Sequence, residues 1–444
     1  MASIIFFVEL AKTHNLRKIF NFRKELKKIK KKPLRVSPTQ EGILLGHAGR
    51  KEIRLSDNCK HCFICGTTGT GKTVTISNFI QQGIEKNYPL LIIDGKGDTG
   101  KGSILDIVKK LSRGRKKLYV VNMSSPESSD TYNPFKNADT TMAKDMLINM
   151  TDWTEEHYKI HAERYIQRVL QTLSIADIPF SFKSIVQYLR TEKFIECSAS
   201  LMKENLISKE NHLENVELSK TSGKIAQSSI ARFATICESE FGTLFSNGGI
   251  DISQALKEKA IILFVLNPLV YPELSPAVAR LATIDAKKAV GKLFFSGIER
   301  TFFIMDEIST YANTSLTDLV NKSRSANVTC VLATQSLSDL DFACGEAFKE
   351  QIIENCNNYI VMRQNSGVNA EHWANILGTR ATMEVTYQLQ QKGLNTGETG
   401  FGSAKRVREF LYHPDEIKTL QTGKGIFLSR DTGITSEINI NKPF

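Results

Sequence analysis

"NCKHCFICGTTGTGKT", residues 58–73, carries two patterns that cannot both be used. Cys59, Cys62 and Cys65 are spaced C-x-x-C-x-x-C, which suits an iron–sulfur or zinc site. From Gly66 the same stretch reads G-x-x-x-x-G-K-T, a phosphate-binding loop with Gly66, Gly71, Lys72 and Thr73 at its defining positions. Such a loop needs a strand before it and a helix after it. "HCFIC" supplies the apolar strand and "KTVTISNFIQQGIEK" the helix. Side chains alternate along a strand, so Cys62 and Cys65 face opposite ways and cannot meet on one ion. Residues 66–73 offer no Cys or His as a further ligand. The cysteines are therefore read as small apolar residues packing a buried strand, and that strand aims the loop.

Glycines let backbone N–H groups converge on phosphates, and the helix N-terminus adds its dipole. The expected nucleotide contacts are Gly66, Thr67, Thr68, Gly69, Thr70, Gly71, Lys72, Thr73 and Thr75. Lys72 would reach the β- and γ-phosphates and Thr73 would ligate Mg²⁺, so ATP and Mg²⁺ are the expected cofactors. Hydrolysis also needs acidic groups at a strand end, and two stretches compete. "LLIIDGKGD" offers Asp94, and "TFFIMDEIS" offers Asp306 with Glu307 directly after an apolar run. The second supplies both parts, an Asp for Mg²⁺ and a Glu for the attacking water. Asp94, Lys96 and Asp98 are then expected to form a structured turn beside the loop. "VLATQS" ends another apolar run at Gln335, whose amide both donates and accepts and so suits sensing of the γ-phosphate. Arg324, near the end of the helical stretch "LTDLVNKSRSANV", is either a helix-end cation or a finger reaching a neighbouring subunit's γ-phosphate.

The rest of the 444-residue chain follows from rhythm and charge. Apolar runs alternating with helical periodicity, "PLLIIDGKGD", "KKLYVVNM", "AIILFVLNP", "RTFFIMDE", "NVTCVLATQS" and "NCNNYIVMRQ", predict an α/β fold with a mostly parallel sheet. Residues 141–245 shift to helical spacing and predict an inserted all-α domain. Within them "NLISKENHLENVELSKTSGK" is read as a loop or frayed helix. "LNTGETGFGSAKR" and "LQTGKG" are read as Gly/Thr-rich turns. The expected division is a basic arm at 1–40, a nucleotide-binding domain at 41–140 and 246–444, and the helical insert between them. Residues 1–35 hold eleven Lys/Arg and two Glu, so the arm carries +9 of the net +11. It is expected to lie on an anionic membrane surface, to hold DNA phosphates, or to be a solvated tail. No run of about eighteen apolar residues occurs, and no signal peptide is read, so a cytoplasmic protein is expected, with possible peripheral membrane contact. Two lesser patterns remain. His157 and His161 are spaced i, i+4 as on a metal-binding helix face, though common on polar faces. Lys405, Arg406 and Arg408 would contact DNA in a pore or form a solvated loop.

"GTTGTGKT", "LIIDGKGD", "YNPF", "FFIMDEIS", the Arg324 helix and "VLATQS" stand in the order found in type IV secretion coupling proteins. The chain resembles these TraG/TraD-like conjugation ATPases of the FtsK/HerA superfamily from about residue 41 to 440. The resemblance implies a RecA-like domain interrupted by an all-α domain, working as a homo-hexamer around DNA. It implies ATP hydrolysis at subunit interfaces and delivery of single-stranded, relaxase-bound DNA to a secretion channel, with relaxosome and channel proteins as partners. By position Lys72, Thr73, Asp306 and Glu307 match the Walker residues, Gln335 the sensor and Arg324 the trans arginine finger. Many relatives begin with transmembrane helices, and none is expected from this sequence. Two alternatives follow: a HerA/FtsK-type DNA motor without a secretion role, and an ATP-gated docking receptor for relaxase or effector.

Overall fold

The computed structural model describes residues 41–443, apart from 58, 115, 151–152, 154, 247, 295–298 and 393–394; for 228, 293–294 and 385–404 it describes backbone alone. The basic arm, residues 1–40, and the membrane and DNA roles expected of it lie outside the described residues.

Strands β1 (Ile43–Ala48) and β2 (Lys51–Leu55) are followed by β3 (His61–Cys65), β4 (Leu90–Asp94) and β5 (Leu118–Asn122). After a helical stretch come β6 (Ile261–Val265), β7 (Thr301–Asp306), β8 (Val328–Thr334) and β9 (Cys356–Val361). A ribbon of β10 (Thr379–Lys392) and β11 (Asn395–Phe410) precedes β12 (Lys424–Ser429) and β13 (Ile434–Ile440). Eleven of these form one sheet in the order β2-β1-β13-β12-β9-β3-β8-β7-β4-β6-β5. The seven strands from β9 to β5 run parallel, as their apolar runs predict.

Every residue of β3, β4, β6, β7 and β8 is buried, because helices cover both faces. Phe63, Cys65, Leu91, Ile93, Phe303 and Met305 enter one core cluster. Cys62, Ile64, Leu90, Ile92, Phe302 and Ile304 enter the other, so Cys62 and Cys65 lie on opposite faces. Burial pushes the Cys65 thiol up to about 12 and Cys62 well above the usual thiol range. Ile76, Phe79, Ile80 and Ile84 of the helix Lys72–Glu85 cover the second face. On the first face Trp373 meets Phe63 with ring centroids 5.8 Å apart.

The elements described between β5 and β6 are all helical, from Pro126–Ser128 to Ile252–Lys257, apart from an isolated bridge of Tyr132 with Ile250. Tyr165, Ile166, Phe182 and Phe233 of this stretch join the same cluster as Phe63 and Leu91, so it shares a core with the sheet. A buried group ties the stretch to the long helix Leu274–Phe294: the Tyr132 hydroxyl donates to Asp285 Oδ2 at 2.9 Å, and Lys288 Nζ donates to the Pro134 carbonyl at 2.8 Å.

Two readings are corrected. "NLISKENHLENVELSKTSGK" contains an ordered helix, Lys209–Leu218, whose N-terminus is capped by Ser208 and whose Asn215 and Leu218 are buried. From Asn395 on, "LNTGETGFGSAKR" is strand rather than turn: β11 pairs antiparallel with β10, with one shift of register between Tyr387 and Leu389. Its glycines removed the apolar alternation that marks strands, and backbone pairing made the strand regardless. The parallel sheet is also extended by four antiparallel strands, β12, β13, β1 and β2. No helix among the described residues is long and apolar enough to cross a membrane.

His61, at the start of β3, is 1% exposed and accepts a hydrogen bond from Cys330 N at 3.0 Å through Nδ1. Burial, with the Arg324 charge adding, lowers it from 6.5 to about 4. The unfolded chain therefore takes up the proton first. The His61 contribution to stability is constant above about pH 6.5 and is lost as pH falls from there through about 4. His61→Asn, whose Oδ1 replaces the acceptor, is expected to remove a pH-dependent loss of about 2–3 kcal/mol between pH 6.5 and 4. Urea midpoints of both proteins across that range check it.

Candidate nucleotide site

The C-terminal ends of β3, β7, β8 and β4 bring the expected residues to one edge of the sheet. From Cys65 the chain turns through Gly66–Gly71, where Gly69 and Gly71 take φ of +77° and +111°, values that favour glycine. The loop is held from below by its neighbours. Thr67 N donates to Arg363 O at 3.0 Å, and Gly423 N donates to Thr70 O at 2.9 Å. The helix Lys72–Glu85 then starts with its free N–H groups facing the loop.

Lys72 is 3% exposed, and its Nζ donates to Gly66 O at 2.8 Å and lies 4.0 Å from Glu307 Oε2. Burial lowers its pKa, with Glu307 acting in the opposite sense. Glu307 follows β7 in a left-handed conformation, φ +50° and ψ +54°, which a non-glycine residue holds only under constraint. Its Oε2 accepts from Gln335 Nε2 at 2.9 Å, and its Oε1 from Ser309 Oγ at 3.0 Å and Gln335 N at 3.4 Å. Gln335 Oε1 in turn accepts from Thr68 Oγ1 at 2.7 Å. Thr68, Gln335, Glu307 and Lys72 thus form one connected group across β3, β7 and β8.

Asp306 is 1% exposed and accepts from Glu307 N at 3.0 Å through Oδ1. The competing Asp94 is its direct neighbour, because β4 and β7 pair with Asp94 opposite Asp306. Asp94 Oδ1 accepts from Lys96 N at 3.1 Å and Gly97 N at 3.2 Å. Burial first, then the Asp306 charge, raises Asp94 to about 7, and burial raises Asp306 as well.

Several expected residues stand apart from this group. Thr75 is fully buried, with its hydroxyl on Gly71 O at 3.1 Å. Thr67 and Thr70 place their hydroxyls on the Arg363 and Thr67 carbonyls. Thr73 is half-buried on the first turn of the helix. Arg324 is exposed, in a short turn four residues before β8, and so lies at the other end of that strand, ~20 Å from Gln335. His161 Nδ1 lies 2.9 Å from Ser222 Oγ. Lys405, Arg406 and Arg408 are exposed on β11. Arg363 and Ser309 were not read from the sequence. Arg363 follows the apolar run of β9 as Gln335 follows that of β8, a signal that was present. Ser309 had none, because its contact depends on the tight turn after Glu307.

A family model described as the central domain of the helicase HerA matches residues 52–260, and one described as the TraM recognition site of TraD and TraG matches residues 300–422. An uncharacterized protein of Mycoplasma pneumoniae is 28% identical over 141 residues, 32% of this chain and 87% of that protein. Among solved structures, the bacterial conjugative coupling protein TrwB superposes with a TM-score of 0.66 at 15% identity, covering 91% of this chain and 90% of that one. TrwB with ADP and Mg²⁺ gives 0.65 at 15%, covering 95% and 92%. VirB4 of Thermoanaerobacter pseudethanolicus gives 0.55 at 14%, covering 91% and 97%. The fold is the RecA-like P-loop fold of these proteins. With a phosphate loop, an acidic strand end and two family models spread along it, the chain belongs to the TraG/TraD-like coupling ATPases of the HerA/FtsK kind.

Proposed function

We propose that this ATPase is a DNA motor, a homo-hexamer that passes single-stranded, relaxase-bound DNA towards a conjugative secretion channel. The observation that carries the reading is the connected group of Lys72, Glu307, Gln335 and Thr68 beside buried Asp306. Lys72 leaves Gly66 O for the β- and γ-phosphates of ATP. Glu307 orients the attacking water and takes its proton, and Gln335 reports whether the γ-phosphate is present. Arg324 lies far from the group of its own chain and reaches the site of a neighbouring subunit.

Magnesium fits the residues at this edge. Asp94 and Asp306 are buried side by side and both raised, an acidic pair that a divalent cation relieves. Asp306 and the Thr73 hydroxyl are hard oxygen donors, and the ion would neutralise charge on the phosphates.

Steady-state ATPase assays with and without single-stranded DNA test the motor. DNA is expected to raise turnover severalfold; no stimulation, together with an unaffected Glu307→Gln protein, sinks it. Thr68 supplies a finer test. Its hydroxyl fixes which end of the Gln335 amide faces Glu307. Thr68→Val is expected to lower kcat roughly tenfold with little change in KM for ATP, and Thr68→Ser to restore it.

A docking-receptor reading has one observation in its favour, the match of residues 300–422 to a TraM recognition model. Co-purification with a relaxosome protein, undiminished by Lys72→Ala, would favour it over the motor.

A further inference from the structure

Phe342 lies on the helix Leu337–Cys344, which begins two residues after Gln335, and is 96% exposed. The surface around it is acidic: Asp339, Asp341 and Glu346, set against Lys349. At the opposite end of the strands, the helices Leu274–Phe294 and Thr314–Ser323 leave between them a groove of about 320 Å³. Val290, Gly291 and Leu319 form its apolar floor, and Lys287, Lys322 and Ser325 its rim. Arg324, exposed, adjoins Ser325. Asp318 pairs with both Lys287 and Lys322, which leaves the rim with Arg324 positive overall.

We infer that Phe342 of one copy docks in this groove of a second copy, as the anchor of a head-to-tail interface. An exposed aromatic ring set in an acidic surround and an apolar groove with a basic rim are complementary in shape and charge. Knob and groove lie on different parts of the chain, so the contact is heterologous and repeats from copy to copy, as the subunits of a ring require. The knob follows directly from the strand end that holds Gln335, and the groove adjoins Arg324. Docking therefore brings the second copy's Arg324 to the nucleotide edge of the first. The inference rests on the proposed motor, in which Arg324 acts in trans, and it names the surface that delivers it.

Two variants separate knob from groove. Phe342→Ala removes the ring from an exposed position. A Cβ at Gly291 meets nothing within 4 Å, so Gly291→Leu starts its side chain in open space on the groove floor, and leucine suits its helix. Unchanged urea midpoints verify that both fold. In sedimentation velocity with Mg²⁺ and a non-hydrolysable ATP analogue, the intact chain is expected to self-associate, and each variant to do so at least about tenfold more weakly. An equal mixture is expected to form dimers that grow no further, because each dimer has one good knob–groove pair and two blocked ends. Wild-type assembly by either variant, a mixture that stays monomeric, or an intact chain that stays monomeric overturns the inference.

The mixed dimer also isolates one composite site. Arg324→Ala in the Phe342→Ala partner is expected to abolish the ATPase activity of the dimer, and the same change in the Gly291→Leu partner to leave it. If the dimer forms and its turnover ignores both placements, the docking surface stands and the trans role of Arg324 falls.

Discussion

Glu307→Gln is expected to lower ATP turnover by at least about a hundredfold while nucleotide affinity stays near that of the unaltered protein. The reason lies in which oxygen does what. Oε1 is held by Ser309 and by Gln335 N, contacts that the amide oxygen of Gln can keep. Oε2 faces Gln335 Nε2 and Lys72 Nζ, and it is the oxygen available to take a proton from water. An amide nitrogen there opposes two donors and accepts nothing. Lys72 and the loop backbone, which bind the phosphates on the proposed assignment, are untouched. The check is single-turnover hydrolysis beside a binding titration with a fluorescent ATP analogue. Turnover within a few-fold of the unaltered protein would remove Glu307 as the base.

Gly97→Ala is expected to cost about 4 kcal/mol or more, enough to leave little folded protein at 37 °C. Gly97 sits just past β4 with φ +68°, and a Cβ there would stand 1.5 Å from the carbonyl oxygen of Leu266. That atom is backbone following β6, so no rotamer change relieves the overlap. The same turn donates Gly97 N to Asp94, so relaxation of the loop also strips a partner from a buried carboxylate. Gly102 is the contrasting position: φ is also positive, +83°, but nothing lies within 4 Å of an added Cβ. Gly102→Ala is therefore expected to cost only about 1 kcal/mol. Denaturant melts of both variants decide, and a Gly97→Ala protein as stable as Gly102→Ala would show that the loop is not packed as described.

The parts of this molecule visible in the amino-acid order are those whose cause is local. Gly66–Thr73 follow one another along the chain, and the strand and helix around them are set by adjacent residues. Glu307 and Gln335 were found because each ends an apolar run, and a buried parallel strand shows its C-terminal end by the return of polar residues. Opposed Cys62 and Cys65 follow from the two-residue period of the strand.

Strand order has no such local cause. Asp94 and Asp306 read as rivals, yet pairing of β4 with β7 makes them neighbours whose charges act on one another. Thr68 reads as a phosphate contact, and only the packing of β3 against β8 turns its hydroxyl to Gln335. The four antiparallel strands of the sheet bring Gly46 opposite Ile440, across nearly the whole described chain. The β10–β11 ribbon forms through backbone pairing that its glycine-rich text does not advertise. Periodicity and turn chemistry act over a few residues and determine which elements form and where each polar strand end lies. Which of those ends meet is decided by burial summed over the whole sheet, and that sum exists only in the folded chain.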